Sequence, residues 1–416
     1  MLKNLFSTVS AGSFRAMSGR MVALCLLAVC VATPTFAKKD KKEKKEEGYV
    51  FTDVKRLPIT SIKDQSRSGT CWCFSTLSFF EAELLRMGKG EQDLCEMFVV
   101  HKTMEDRAEA AVRTHGDVSF AQGGSFYDVA YCIKNYGIVP QGAMPEPGSL
   151  YGETVINHNE VDAIASSFVN AIAKGKQKKL SPAWKKAFKA IYDTYLGECP
   201  EAFTYNGVEY TPKSYAESLG LNMDDYVSLT SFTHHPFYKP FVLEIQDNWR
   251  WAQSYNLPLD EFMQVFDYAL NHDYPIAWGS DVSEKGFTRN GIAVMPDIKA
   301  AADLTGSDRD HWLGMSETER ADEALTKPSP EMTITQELRQ VGYDNWETTD
   351  DHGMIIFGIA KDQTGKEYYL VKNSWGEYGK YKGIWYASKA FVAYKTMNIL
   401  VHKDGVPAEI RQKLGI

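Results

Sequence analysis

The chain has 416 residues, 44% of them hydrophobic, enough to bury a large core as one large domain or two fused lobes. Its formal net charge of −8 argues against nucleic acid as the main partner. No internal repeat divides it.

Residues 1–37 read as a signal peptide. Lys3, Arg15 and Arg20 precede an apolar run from Met21 to Ala32, and Thr35-Phe36-Ala37 offers small residues for cleavage. The run is short for a bilayer span; a retained membrane anchor is the alternative, and bulky Val29 fits poorly before a lipidated Cys30. The expectation is export to a periplasm or the exterior, with no stable membrane span after processing. Residues 38–48, mostly Lys, Glu and Asp, form a charged flexible linker that cannot bury enough surface to offset its ordering entropy.

Tyr49 to Lys63 reads as an extended arm. Gln65 then precedes Cys71-Trp72 by six residues, and Thr70 is placed to cap an amphipathic helix from Cys71 to about Met87, stopped by Gly88. Further helices are expected over Met97–Val112 and Ser125–Asn135, the latter ended by Gly137. Gly123-Gly124 before it would let an extended substrate backbone approach closely; an ordinary loop ahead of the Ser125 cap is the competing reading. Residues about 150–262 read as mostly helical. Within them His234-His235 looks metal-like, but adjacent side chains splay apart and Pro236 breaks the local structure, so a structural role is favoured.

Strand signals follow at Pro275–Gly279, Met354–Ile359, Tyr368–Lys372 and Gly383–Tyr386, suited to a small antiparallel barrel. Asn290–Asp350 is polar and reads as loop with a short helix. The last residues, Pro407–Ile416, read as a short helix.

Seven cysteines are present, two of them in the signal. The other five, Cys71, Cys73, Cys95, Cys132 and Cys199, lack the even count and spacing of a disulfide scaffold. Cys71 and Cys73 would face different directions on a helix, so neither a metal nor another cofactor is expected.

Three segments carry chemistry: Gln65 to Trp72, Asp351-His352-Gly353-Met354, and Asn373-Ser374-Trp375-Gly376. A Cys, a His and an Asn supply a nucleophile, its base and the base's orienter. Taken singly, Cys71 is more simply a core cysteine, His352 a structural histidine and Asn373 a turn residue; in this order and with these neighbours they form a set. A helix N-terminus and an imidazolium would favour the Cys71 thiolate. Gln65, with the Cys71 backbone N–H, would donate to a tetrahedral oxyanion, and Trp375 would cover the His352–Asn373 bond. The reaction so predicted is acyl transfer through a thioester, to water or to an amine.

These segments resemble the papain-like cysteine peptidases. Glu96 to Thr103, Gly123-Gly124-Ser125, Tyr136 to Pro140 and His235-Pro236-Phe237-Tyr238-Lys239 are similar to the bleomycin hydrolase and aminopeptidase C branch. The resemblance implies an α+β, two-lobe fold over 49–416, with a helical lobe carrying Cys71, a barrel-like β lobe carrying His352 and Asn373, and a helical insertion at about 150–262. It implies peptide substrates, substrate contact at Gly123, Gly124 and Trp375, and a homo-oligomer, a hexamer in that branch. There a C-terminal tail enters the cleft and confines cleavage to peptide N-termini; the short final helix here leaves that restriction open. The reading is therefore a cysteine peptidase, first an aminopeptidase, with an endopeptidase of open cleft or a non-catalytic peptide-binding protein of the same fold as alternatives.

Overall fold

In the computed structural model, residues 48–299 and 306–416 are described. The signal segment and nearly all of the charged linker lie outside them. The described residues fall in one compact unit, Glu47–Ile416, and no helix among them is long and apolar enough to cross a membrane.

The arm pairs as β1 (Phe51–Arg56), and the helix after Gln65 forms as α1 (Cys71–Arg86). It is not amphipathic: Trp72 to Leu84 is buried on every side. Its two buried glutamates are tied down, as burial of charge demands. Glu81 accepts from Thr60 Oγ1 at 2.6 Å and from the Leu94 N–H at 3.0 Å, and Glu83 accepts from Arg86. Thr70 does not cap α1 through its side chain, which bonds instead to Ser68 Oγ at 2.6 Å. The next two helices, α2 (Glu96–Arg113) and α3 (Phe126–Tyr136), form where the apolar spacing places them; Ser125 and Asp128 close a capping box on α3. With α4 (Asn159–Ala173) and α5 (Ala183–Leu196) they build the helical layer.

The segment expected to be a helical insertion is helical only in part. After α5 it contains the hairpin β2 (Phe203–Tyr205) and β3 (Val208–Tyr210), then α6 (Pro212–Leu219) and the strands β4 (Tyr226–Thr230), β5 (Pro240–Val242) and β6 (Gln253–Asn256). These last three strands join the main sheet. The chain continues through α7 (Leu259–Asn271), β7 (Ile276–Ser280) and β8 (Ile292–Ala293). The polar stretch expected to be mostly loop holds α8 (Gly306–Gly314), α9 (Glu317–Ala324) and α10 (Gln336–Asp344). Last come β9 (His352–Asp362), β10 (Glu367–Lys372), β11 (Ile384–Ser388), α11 (Lys389–Lys395), β12 (Thr396–His402) and α12 (Ala408–Leu414).

The sheet does not close into a barrel. Its order is β5-β6-β4-β12-β7-β9-β10-β11-β8, with β1 added on β9. It is mixed, because β4–β6 and β8–β11 run parallel while the other pairs run antiparallel. One hydrophobic core runs from α1 through β7, β9, β10 and β12. Helix α1 packs on β9 at Gly353, where a Cβ would stand 2.5 Å from Ser75 Oγ and 3.4 Å from the Cys71 carbonyl. The missing side chain is what lets the head of α1 lie against the start of β9.

Candidate active site

That close approach puts Cys71, the first residue of α1, and His352, the first residue of β9, on one cleft with Trp72, Gly124 and Gly353. Cys71 is half-buried; Cys73, Cys95 and Cys132 are buried. Antiparallel pairing of β9 with β10 brings the start of one strand beside the end of the other. Asn373, just past β10, therefore meets His352: its Oδ1 lies 2.7 Å from the ring Nε2. With Nε2 donating there, Nδ1 is the ring atom left for the thiol. Asn373 Oδ1 also accepts from the Ser374 N–H at 2.7 Å, which fixes the amide. Trp375 packs over the His352 ring, centroids 4.8 Å apart.

Gln65 is buried and laced to the same loop. Its N–H donates to the Ser374 carbonyl at 2.8 Å, and its Oε1 accepts from Ser374 Oγ at 2.7 Å. Its Nε2 donates to the Ser68 carbonyl at 2.9 Å, which uses one of the two amide hydrogens. The segment before the cysteine and the one after the asparagine are thus held as one unit.

The two glycines separate in role. Gly124 lines the cleft, and a Cβ there would stand 2.8 Å from the Trp72 ring. Gly123 packs on the Asp247 carboxyl, and its carbonyl accepts from Arg107 Nη1. Gly124 and not Gly123 thus lines the cleft beside Cys71.

Electrostatics depart from expectation. Burial pushes the Cys71 thiol up to about 12, with Asp350 and Asp247 adding to the rise and backbone N–H groups of Gly353 and Trp72 opposing it. Burial pushes His352 down to about 4, against the Asn373 bond and the Asp351 charge. The helix N-terminus does not win over desolvation here. Each group resists charging alone; a proton passed between them creates both charges together and lets each offset the other.

Sequence reasoning did not find Asp247 and Asp350, which line the cleft with Asp351. Asp350 stands two residues before His352, and only its adjacency signals it; Asp247 comes from the segment between β5 and β6. The cleft adjoins a larger cavity, with Ser125, Phe126, Ile245 and Asn398 lining both. Ile416 lines that larger cavity.

The adjacent histidines do not splay apart. His234 Nε2 lies 3.1 Å from Glu244 Oε2, and His235 Nε2 lies 2.9 Å from Glu244 Oε1. Gln340 Nε2 donates to His234 Nδ1 at 3.2 Å while its Oε1 accepts from the Thr233 N–H. The ligand atoms of His234, His235 and Glu244 thus lie within 4.8 Å of one another, close enough to hold a metal ion as well as to bond among themselves.

Comparison with known proteins follows the same line. A model of the Peptidase C1-like family matches residues 91–336 and 333–415, taking in His352 and Asn373 and beginning after Cys71. Aminopeptidase G of Lactobacillus delbrueckii subsp. lactis is 24% identical over 400 residues, 83% of this chain and 82% of that protein. Aminopeptidase C of Streptococcus thermophilus is 24% identical over 411 residues, 88% and 84% of the two chains. A crystal structure of pepw from Lactobacillus rhamnosis hn001 superposes with a TM-score of 0.64 at 21% identity, covering 88% of this chain and 84% of that one. The likeness bears out the expected α+β, papain-like fold, with an open mixed sheet in place of a barrel. The resemblance read from the motifs is borne out as well: the chain belongs to the Peptidase C1-like family.

Proposed function

We propose that this chain is a cysteine aminopeptidase, which hydrolyses peptide bonds through a thioester on Cys71. One observation carries the reading: His352, held by Asn373 and roofed by Trp375, lines the same cleft as the cysteine at the head of α1. Cys71 attacks the scissile carbonyl as its proton passes to His352. His352 then protonates the leaving amine and afterwards activates water on the thioester. Asn373 holds the imidazole, and Gln65 with the Cys71 N–H donates to the oxyanion. The names of the similar proteins, aminopeptidases G and C, support cleavage at peptide N-termini.

The endopeptidase reading keeps one observation in its favour, the larger cavity that continues the cleft and could hold further residues of a peptide. A matched peptide pair, one with a free amine and one N-acetylated, separates the two. Cleavage of the free peptide, abolished in Cys71→Ala, is expected; equal cleavage of both would favour the endopeptidase, and full activity in Cys71→Ala would remove the cysteine mechanism.

Export with loss of residues 1–37 is part of the proposal and rests on the apolar run and Thr35-Phe36-Ala37. An intact mass that retains Met21 to Ala37 would contradict it. Assembly into a homo-oligomer, a hexamer by family likeness, is proposed with it, and sedimentation of the purified chain as a monomer would contradict that.

A further inference from the structure

Three carboxyls line the cleft beside the nucleophile, and their surroundings differ. Asp351 is occupied: it accepts from Ser283 Oγ at 2.5 Å and from Thr349 Oγ1 at 2.8 Å. Asp247 has Arg107 Nη2 at 3.9 Å, beyond hydrogen-bond reach, and Arg107 spends its other donors on the Ser119 and Gly123 carbonyls. Asp350 has no hydrogen-bond or ion-pair partner among the described residues. It is ringed by protein, yet it opens on the cleft. A carboxyl kept in such a place without a partner costs stability, and a ligand that brings a donor and a positive charge removes the cost. Asp247 and Asp350 act on each other and on the Cys71 thiol, which sets all three around one small space.

The substrate of an aminopeptidase has the missing group. The α-ammonium of its first residue is two bonds from the scissile carbonyl carbon. Its anchor must therefore line the same cleft as the nucleophile, as Asp247 and Asp350 do. We propose that Asp350, with Asp247, forms the subsite for the α-ammonium of a peptide's free N-terminus and sets the preference for unblocked substrates. The inference rests on the cysteine aminopeptidase reading and extends it to named residues.

Charge sharpens the recognition. Burial, with Asp247 and Asp351 nearby, pushes the Asp350 carboxyl up to about 8, and an α-ammonium beside it favours the carboxylate form. An acetylated peptide brings no such charge and is disfavoured in binding.

The test compares kcat/KM for the free and N-acetylated forms of one peptide, in the wild type and in Asp350→Asn. The wild type is expected to prefer the free amine, and Asp350→Asn to shrink that preference by about ten- to a hundred-fold, the scale of one charge-assisted hydrogen bond. Asp350→Ser takes its place if the asparagine variant does not fold. A preference unchanged by the substitution, or equal cleavage of both peptides by the wild type, overturns the subsite while leaving the peptidase intact. A wild type that cleaves neither peptide and forms no adduct with a peptidyl epoxide at Cys71 overturns the peptidase reading, and the subsite with it.

Discussion

The ring of Trp375 lies over that of His352, centroids 4.8 Å apart and planes inclined by 33°. It shields a bond between two buried groups, His352 Nε2 and Asn373 Oδ1, from competition by water. In so dry a place the bond sets the imidazole's tautomer, and with it the ring atom offered to the thiol.

Asn373→Ala is expected to lower kcat by about ten- to a hundred-fold, the cost of about 1–3 kcal/mol for leaving a buried donor without its acceptor. KM should change little, because Asn373 does not line the cleft. Steady-state kinetics check it: a change confined to KM would contradict an orienting role.

Gln65→Ala is expected to lower kcat by about 10²–10³, the scale of one lost oxyanion donor at about 2.7–4 kcal/mol. The variant also loses the bond from Ser374 Oγ that ties the two loops together. Ser374→Ala removes that bond and spares the amide, so its smaller loss of kcat separates support from donation. Equal losses in the two variants would reduce Gln65 to a structural tie.

Two buried histidines make stability depend on pH. His158 and His352 are both pushed down to about 4 by burial, while an unfolded histidine titrates near about 6.5. Between those values the unfolded chain binds protons that the folded chain refuses, so stability falls as pH falls from about 6.5 towards 4. From pH 7 to pH 5 each histidine is expected to remove about 2 kcal/mol. Urea unfolding at the two pH values, in wild type and His158→Gln, measures it. The variant should lose less between pH 7 and pH 5, and an identical loss would contradict the account.

The candidate site was more legible in the sequence than the sheet. Gln65, Cys71, His352 and Asn373 sit in short local signatures, where chain order and neighbours identify the chemistry. Asp247 and Asp350 carry no such signature, because tertiary packing alone brings a strand-connecting segment and the residues before β9 to one cleft. Strand β12 was hidden because Thr396 follows α11 directly, with no turn residue between them to mark the change. Strands β4 and β6 lay among aromatic residues that read as helical. Without these three strands, the central and far parts of the sheet were missing, and a small barrel was the simplest closure of what remained. The upward push on the Cys71 thiol was hidden for a related reason: helix position is visible in a sequence, whereas burial and nearby acids are not.

The central claim is that Cys71 is the nucleophile and that His352 takes its proton. Treating the folded protein with a peptidyl epoxide and mapping the adduct by mass spectrometry tests it most directly, since Cys71 and Cys199 are both half-buried and the other described cysteines are buried. The account predicts a single adduct on Cys71, formed by the wild type and lost in His352→Ala. An adduct on Cys199, or labelling of Cys71 at the same rate without His352, would contradict it.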